Sequence, residues 1–277
     1  MTQCTPQDAA AVAQGLGIRP HGEPSRLSGG EDFATFRVIT ADGSLVLRIG
    51  AGEREAAFAW EVAAMDVARG AGIAVPAVLA TGRVGKLSAM AVEFVPGEPI
   101  LRRIEQDPAS AMRLGLLFGQ VQAQLHAAPA LGILASAWAL PRSPIEERLL
   151  RAATGGASET ALLHLDFHPL NVLSDGERIT GVIDWTNAGG GDPRQDIART
   201  AAILRIETPR AARETMRRFL RGWRRGYEET AGPIQGLAPF LAWAGVRMQR
   251  DLALRADSPR AARIASWIAL WDRSHRV

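Results

Sequence analysis

Pro96-Gly97 separates two stretches of this chain with different hydrophobic rhythms, and no all-α or all-β fold accommodates both. Before it stand short apolar runs of strand type: Phe36–Ile39, Leu45–Ile49, Val78–Ala80 and Leu87–Val95. Ala41-Asp42-Gly43 joins the first two as a hairpin. Thr5 caps a short helix ending near Gly15, and a longer helix runs from about Glu53 to Arg69, where Gly70 stops it. After Pro96 the pattern is mostly helical, with predicted helices over Ala109–His126 and Pro144–Ala153. Short apolar strands follow at Leu162–Leu165, Val172–Leu173 and Ile179–Ile183, and helices fill the rest. One of these runs from Pro209 to about Glu229, with Thr208 as its N-cap and Pro209 as its first residue. The expected architecture is α/β, in the α+β sense. Residues 1–95 form a small antiparallel-sheet lobe and residues 96–277 a larger helical lobe.

Composition removes several function classes. An apolar fraction of 47% with 22% charged residues excludes a disordered tail, a collagen-like repeat and a coiled coil. Cys4 is the sole cysteine, so no internal disulfide forms, which fits a reducing cytoplasm. MTQCTPQDAA lacks the basic and apolar regions of a signal peptide. Leu114 to Pro141 carries no charge, but glutamines, His126 and Pro129 interrupt it. It reads as a buried helix and a loop, not a membrane span. The expected setting is cytoplasmic, without membrane attachment.

The chain has one lysine, Lys86, among 32 basic residues. Lys86 lies between Gly85 and Leu87, in a hairpin turn, so any phosphate clamp falls to arginine. Arg213, Arg217, Arg221, Arg224 and Arg225 lie mostly off the apolar stripe of Met216, Phe219, Leu220, Trp223 and Tyr227. They read as a solvated face, with nucleic-acid contact as the lesser alternative.

The segment Leu162–Arg199 carries the chemistry. Asp166 follows an apolar strand and is flanked by His164 and His168, and Asn171 stands five residues on. Asp184 ends a later apolar strand. Asp175-Gly176 returns the chain as a hairpin, so Asn171 and Asp184 converge. Carboxylate and amide oxygens are hard ligands, suited to magnesium and not to zinc. The proline after His168 also argues against a two-histidine zinc site. A carboxylate left free of metal accepts a hydroxyl proton. On the Glu53–Arg69 helix, Glu55 shares a face with Phe58, Val62 and Met65. It either finds a buried cationic partner or stays wet in the first turn, where the helix dipole favours it.

His164-x-Asp166-x4-Asn171, followed by Ile183-Asp184-Trp185 and Gly191-Asp192-Pro193-x-x-Asp196, resembles the aminoglycoside phosphotransferase and choline kinase group. That resemblance implies a two-lobe protein-kinase-like fold and an O-phosphotransferase using ATP or GTP with Mg2+. Residue by residue, it implies that Asp166 positions the acceptor hydroxyl and takes its proton. Asn171 and Asp184 hold the magnesium. Arg48 contacts the α- or β-phosphate and pairs with Glu55. Gly29 and Gly30 lie in a phosphate-covering hairpin, and Glu93 and Val95 offer backbone groups to the purine. Asp192 and Asp196 are structural. Leu165 and Leu170 stand where the group commonly has glycine. Asp32 and the Asp184-Trp185-Thr186 run are similar to the macrolide phosphotransferase branch.

The acceptor implied is a small-molecule hydroxyl compound, of the aminoglycoside or macrolide antibiotic type. A metabolite kinase of choline- or homoserine-kinase type is the alternative, and a nucleotide-binding pseudoenzyme is another. Beyond Leu204 arginines outnumber acids, which weighs against a polycationic acceptor.

Overall fold

The computed structural model describes residues 4–27, 33–130, 139–153, 160–251 and 258–273. It is a mixed α/β chain with a small antiparallel sheet and a larger helical part. Two compact units partition it: Met1–Asp66 with Val75–Pro96, and Val67–Ala74 with Gly97–Val277.

The first unit contains α1 (Pro6–Gly15), β1 (Ser25–Arg26), β2 (Ala34–Thr40), β3 (Gly43–Ala51), most of α2 (Glu55–Gly70), β4 (Val78–Val84) and β5 (Leu87–Glu93). Thr5 begins α1 with a reciprocal capping box to Asp8. The strands form one antiparallel sheet in the order β1-β2-β3-β5-β4. Alternation along β3 sends Leu45, Leu47 and Ile49 into the core shared with α1. Val46 packs on the opposite face with Phe33, Phe58, Met90 and Val92. Arg48 has the same parity as Val46, and its guanidinium lies over the Phe33 ring at 4.5 Å. Lys86 is exposed in the turn between β4 and β5.

The second unit contains β6 (Glu98–Pro99), α3 (Ile100–Gln106), α4 (Ala111–His126), α5 (Pro144–Ala153), β7 (Ala161–Leu163), β8 (Val172–Ser174), β9 (Ile179–Val182), β10 (Gly189–Gly191), α6 (Pro193–Ile206), α7 (Arg213–Ala231), α8 (Ala238–Asp251) and α9 (Pro259–Arg273). β7 pairs with β10, and β8 lies between β6 and β9. One core cluster joins Leu163 and Leu165 to Phe240, Trp243 and Ile264. Trp185 and Trp243 are buried, so both serve packing and neither lines a cleft.

α4 and α7 pack backbone to backbone. Gly115 and Gly119 on α4 face Gly222 and Gly226 on α7. A Cβ at any of the four would collide with the backbone of the opposite helix, at Phe219, Trp223, Met112 and Leu116 respectively. The glycines let the two backbones touch, and Phe118 then reaches both Phe219 and Phe167, with ring centroids 5.2 and 4.4 Å away.

Two local expectations are corrected. α7 starts at Arg213, not Pro209, because a 3-10 turn over Arg210–Ala212 precedes it. Thr208 does not cap it: its hydroxyl donates back to the Leu204 carbonyl. The hairpin between β8 and β9 is longer than a two-residue turn. Asp175 closes it by accepting from the Glu177 and Arg178 N–H groups. Several exposed arginines of α7 pair along the helix, Arg217 with Glu214, Arg224 with Glu228 and Arg225 with Glu229. Among the described residues no helix is long and apolar enough to cross a membrane.

Candidate active site

The loop after β7 is held at nearly every peptide group. Asp196, fully buried on α6, accepts from the Leu165 N–H at 2.8 Å and the His164 N–H at 3.4 Å. Thr200, one turn on, donates to the Phe167 carbonyl at 2.8 Å. The Asp166 N–H donates to His164 Nδ1, and His164 Nε2 then carries the proton given to the Ile183 carbonyl at 3.0 Å. His164 therefore ties the Asp166 loop to the segment that carries Asp184. Leu165 adopts a left-handed φ of 59° while fully buried.

Asp196 is itself braced. His126 on α4 reaches it through Nε2 at 3.0 Å, and the other ring nitrogen meets the Tyr227 hydroxyl on α7 at 2.9 Å. A parallel chain runs from Trp223 through Gln122 to Thr200. The α4–α7 contact thus supports the loop through two polar relays.

These buried groups make stability acid-sensitive. Burial disfavours the His164 imidazolium and lowers its pKa, although Asp196, Asp166 and Asp184 pull the other way. In the unfolded chain the same ring takes up a proton near pH 6.5. Stability is therefore complete above that pH and declines as pH falls below it. Burial would raise the Asp196 pKa, but the hydrogen bond and charge of His126 outweigh it and the pKa is lowered. Its contribution is present above the unfolded value of about 3.9 and is lost as pH falls through the folded one. Thermal melts should be flat near pH 7.5 and fall progressively below about pH 6.5. A melting temperature unchanged down to pH 4 would contradict this account.

The Asp166 carboxylate faces three groups. His168 Nε2 lies 3.3 Å from Oδ2, Arg199 Nη2 3.7 Å from Oδ1, and Asn171 Nδ2 3.2 Å from Oδ2. Burial pushes its pKa up, but the His168 hydrogen bond and charge, with Arg199 and His164, hold it down at about 2. The group is an anion at every physiological pH. Asn171 also donates from Nδ2 to the Asp166 carbonyl at 3.1 Å, which turns its Oδ1 away from Asp166. The Ile183 N–H donates to the Asn171 carbonyl at 2.9 Å, and Val172 pairs with Val182. Pairing therefore brings Asn171 beside the strand end that carries Asp184. Asp184 is half-buried, has a left-handed φ of 63° and accepts from the Thr186 hydroxyl. An amide oxygen and a carboxylate suit magnesium, which is usually bound through one or two carboxylates plus phosphate oxygens.

In the first unit the expected Arg48–Glu55 pair is corrected. Arg48 pairs instead with Glu61, Nη1 to Oε2, at 2.5 Å, and Glu61 is 1% exposed. Glu55 is exposed at the first position of α2. The buried face of α2 runs through Phe58, Glu61, Ala64, Met65 and Ala68. At 100° per residue Glu55 lies well off its centre. At the end of β5, Glu93 N–H donates to the Ala77 carbonyl at 2.8 Å. Phe94 N–H donates to the Ser44 carbonyl, so Leu45 and Glu93 are a non-hydrogen-bonded pair and the Glu93 carbonyl points away from β3. Among the described residues the Val95 N–H has no backbone acceptor. Gly29 and Gly30 lie outside the described residues.

Asp166 borders a cavity of about 760 Å³ within the second unit. Its walls come from α3, the Asp166 loop, α6, the start of α7, Met248 and Arg260. Leu170 is 43% exposed and lines it, whereas Leu165 does not. Local pattern does not single out Glu61 or Arg199, nor the cavity walls beyond Leu170 and the Asp166 loop. Arg199 stands three residues after Asp196 on α6, at a spacing that places both near one helix face, and that was its signal.

No curated protein sequence matches the chain. Solved structures do. A thermostable mutant of aminoglycoside phosphotransferase APH(4)-Ia, in ternary complex with ADP and hygromycin B, matches with a TM-score of 0.63 at 17% identity, covering 97% of each chain. Macrolide 2'-phosphotransferase MphH from Brachybacterium faecium matches at 0.59 and 23% identity, over 93% of this chain and 96% of that one. A candidate fructosamine-3-kinase from Haemophilus somnus 129PT matches at 0.65 and 13% identity, over 96% and 95%. These likenesses establish a kinase-like phosphotransferase fold. The sequence model of the phosphotransferase enzyme family, APH, matches residues 23–157 and 134–233. That span takes in the Arg48–Glu61 pair, Asp166, Asn171 and Asp184, and the chain belongs to the phosphotransferase enzyme family.

Proposed function

We propose that this chain moves the γ-phosphoryl group of ATP or GTP, with Mg2+, to a hydroxyl of a small molecule of antibiotic type, in the cytoplasm. The observation that carries the reading is the Asp166 carboxylate, held ionised at the wall of a cavity beside the Asn171 amide. A permanently ionised carboxylate orients an acceptor O–H and receives its proton late, once the oxygen has begun to bond phosphorus. The acceptor oxygen forms the new O–P bond, the bond from the γ-phosphorus to the β–γ bridging oxygen breaks, and the nucleoside diphosphate leaves with that electron pair. Bound by Asn171 Oδ1 and Asp184, magnesium would neutralise charge on the phosphate oxygens. His168 and Arg199 fix the position of Asp166, and Arg48, itself fixed by Glu61, meets the α- or β-phosphate. Glu93 and Val95 offer their backbone groups to the purine.

The test is an acceptor panel of aminoglycosides, macrolides, nucleosides and amino alcohols, each with ATP and GTP, read by mass spectrometry. A phosphorylated acceptor formed only with magnesium is expected. Magnesium-independent product, or none across the panel, would overturn the reading.

A further inference from the structure

The cavity beside Asp166 carries information on the acceptor that the catalytic residues do not. Its volume, about 760 Å³, is that of a site for a drug-sized molecule. Its lining is mainly aliphatic, including Leu101, Ile104, Leu170, Ile203 and Met216. No Phe, Tyr or Trp lines it among the described residues. Quaternary ammonium groups are recognised by cages of aromatic faces, and planar rings by stacking. The described lining offers neither.

Its carboxylates are already answered. Asp166 faces Arg199 at 3.7 Å, and Glu207 holds Arg260 at 2.7 Å. Glu105 meets Arg102 at 3.1 Å, where both side chains are about half exposed or more. The first two arginines line the cavity themselves, so a ligand cation arriving there would meet compensated charge. The exposed Glu105 pair is weak enough to be exchanged for one ligand cation. A polycation would bring several charges into an aliphatic space with, among the described residues, one carboxylate to receive them, and burying an unpaired charge is costly.

We infer that the acceptor is an alicyclic or macrocyclic alcohol with a broad aliphatic face and no more than one positive charge. Its aliphatic face lies against α3, α6 and α7, and the reacting hydroxyl is turned to Asp166. A single amine is received at Glu105. This rests on the phosphotransferase reading above and narrows it. It excludes as preferred acceptors both a polycationic aminoglycoside and a small quaternary amino alcohol.

The experiment compares three probes under one set of conditions: erythromycin, a macrocyclic polyol with one tertiary amine; kanamycin, a polycation; and choline. Steady-state kcat/KM for erythromycin is expected to exceed that of the other two by about a hundredfold or more, equal to about 2.7 kcal/mol. Kanamycin or choline as the better acceptor would overturn the inference and leave the phosphotransferase reading standing. Turnover of none of the three also overturns it, and the reading beneath is then judged by calorimetry of magnesium-dependent nucleotide binding in the same preparation. Ala211→Glu adds a carboxylate at an exposed point of the lining. It should raise KM for erythromycin about tenfold and lower that for kanamycin. An unchanged ratio of the two KM values would show that this cavity does not receive the acceptor.

Discussion

Replacing Asp166 by alanine is expected to lower phosphoryl-transfer turnover by about three orders of magnitude, within the range a positioned general base supplies. The side chain is a carboxylate whose oxygens meet His168, Arg199 and Asn171 together. Under the proposed mechanism its loss removes both the group that orients the acceptor and the site for the hydroxyl proton. Nucleotide affinity should stay within a few-fold of the parent value, because Asn171, Asp184 and Arg48, the groups proposed to hold metal and phosphate, are all retained. Alanine also removes the carboxylate that His168 and Arg199 face, which costs stability. Asp166→Asn separates the two effects: the amide keeps an oxygen for His168 and Arg199 but carries no negative charge. It should melt above the alanine variant and lose comparable turnover. Calorimetry for the nucleotide and initial rates for the acceptor make the comparison. Turnover within tenfold of the parent in the asparagine variant would remove Asp166 from the chemistry.

Gly119→Ala should destabilise the protein by at least about 2 kcal/mol, although alanine is the better helix former by about 1 kcal/mol. The new methyl group would be driven into the Trp223 carbonyl and the Tyr227 N–H of the facing helix. A flexible side chain can rotate aside, but backbone cannot. The helices must separate, and the Phe118 contacts to Phe219 and Phe167 loosen with them. For a unit of this size the melting temperature should fall by about 4–8 °C. Gly70→Ala is the matched control, since a Cβ there meets nothing within 4 Å. That variant should be neutral or slightly stabilising. Equal effects of the two substitutions would show that the α4–α7 approach is not set by glycine. Because Tyr227 and Trp223 also feed the relays to Asp196 and Thr200, Gly119→Ala should lower turnover at temperatures where the protein is still folded.

Period and spacing made much of this legible. Alternation along β3 separates Arg48 from Leu47 and Ile49, and spacing in the 164–171 segment placed Asp166 beside Asn171. The Glu55 assignment failed for a specific reason. Helical spacing was judged against Phe58, Val62 and Met65, while the alanines at 64 and 68 shift the buried face toward Glu61. Small residues carry little hydrophobic signal yet mark where a helix touches its neighbour. The same blindness hid the α4–α7 seam, since glycine within a helix reads as a defect until the opposing helix is known. The cavity was beyond local reading because its walls come from segments more than a hundred residues apart. Leu165 and Leu170 both stand in glycine-like positions, and only tertiary packing sends one into the core and the other into the cavity.

Leu165 has a temporal consequence. Its left-handed backbone costs about 1–2 kcal/mol for a residue with a Cβ, so the loop does not adopt that turn unaided. Glycine would relieve the cost but leave a void worth about 2–5 kcal/mol. The leucine is kept in place by a cluster that includes Phe240, Trp243 and Ile264, which leave the ribosome some 75 to 100 residues after it. A nascent chain halted before α8 already contains Asp166, Asn171 and Asp184, yet lacks the packing that keeps them aligned. Alignment of the Asp166 loop therefore waits for α8 and α9 to be made and to pack against Leu165.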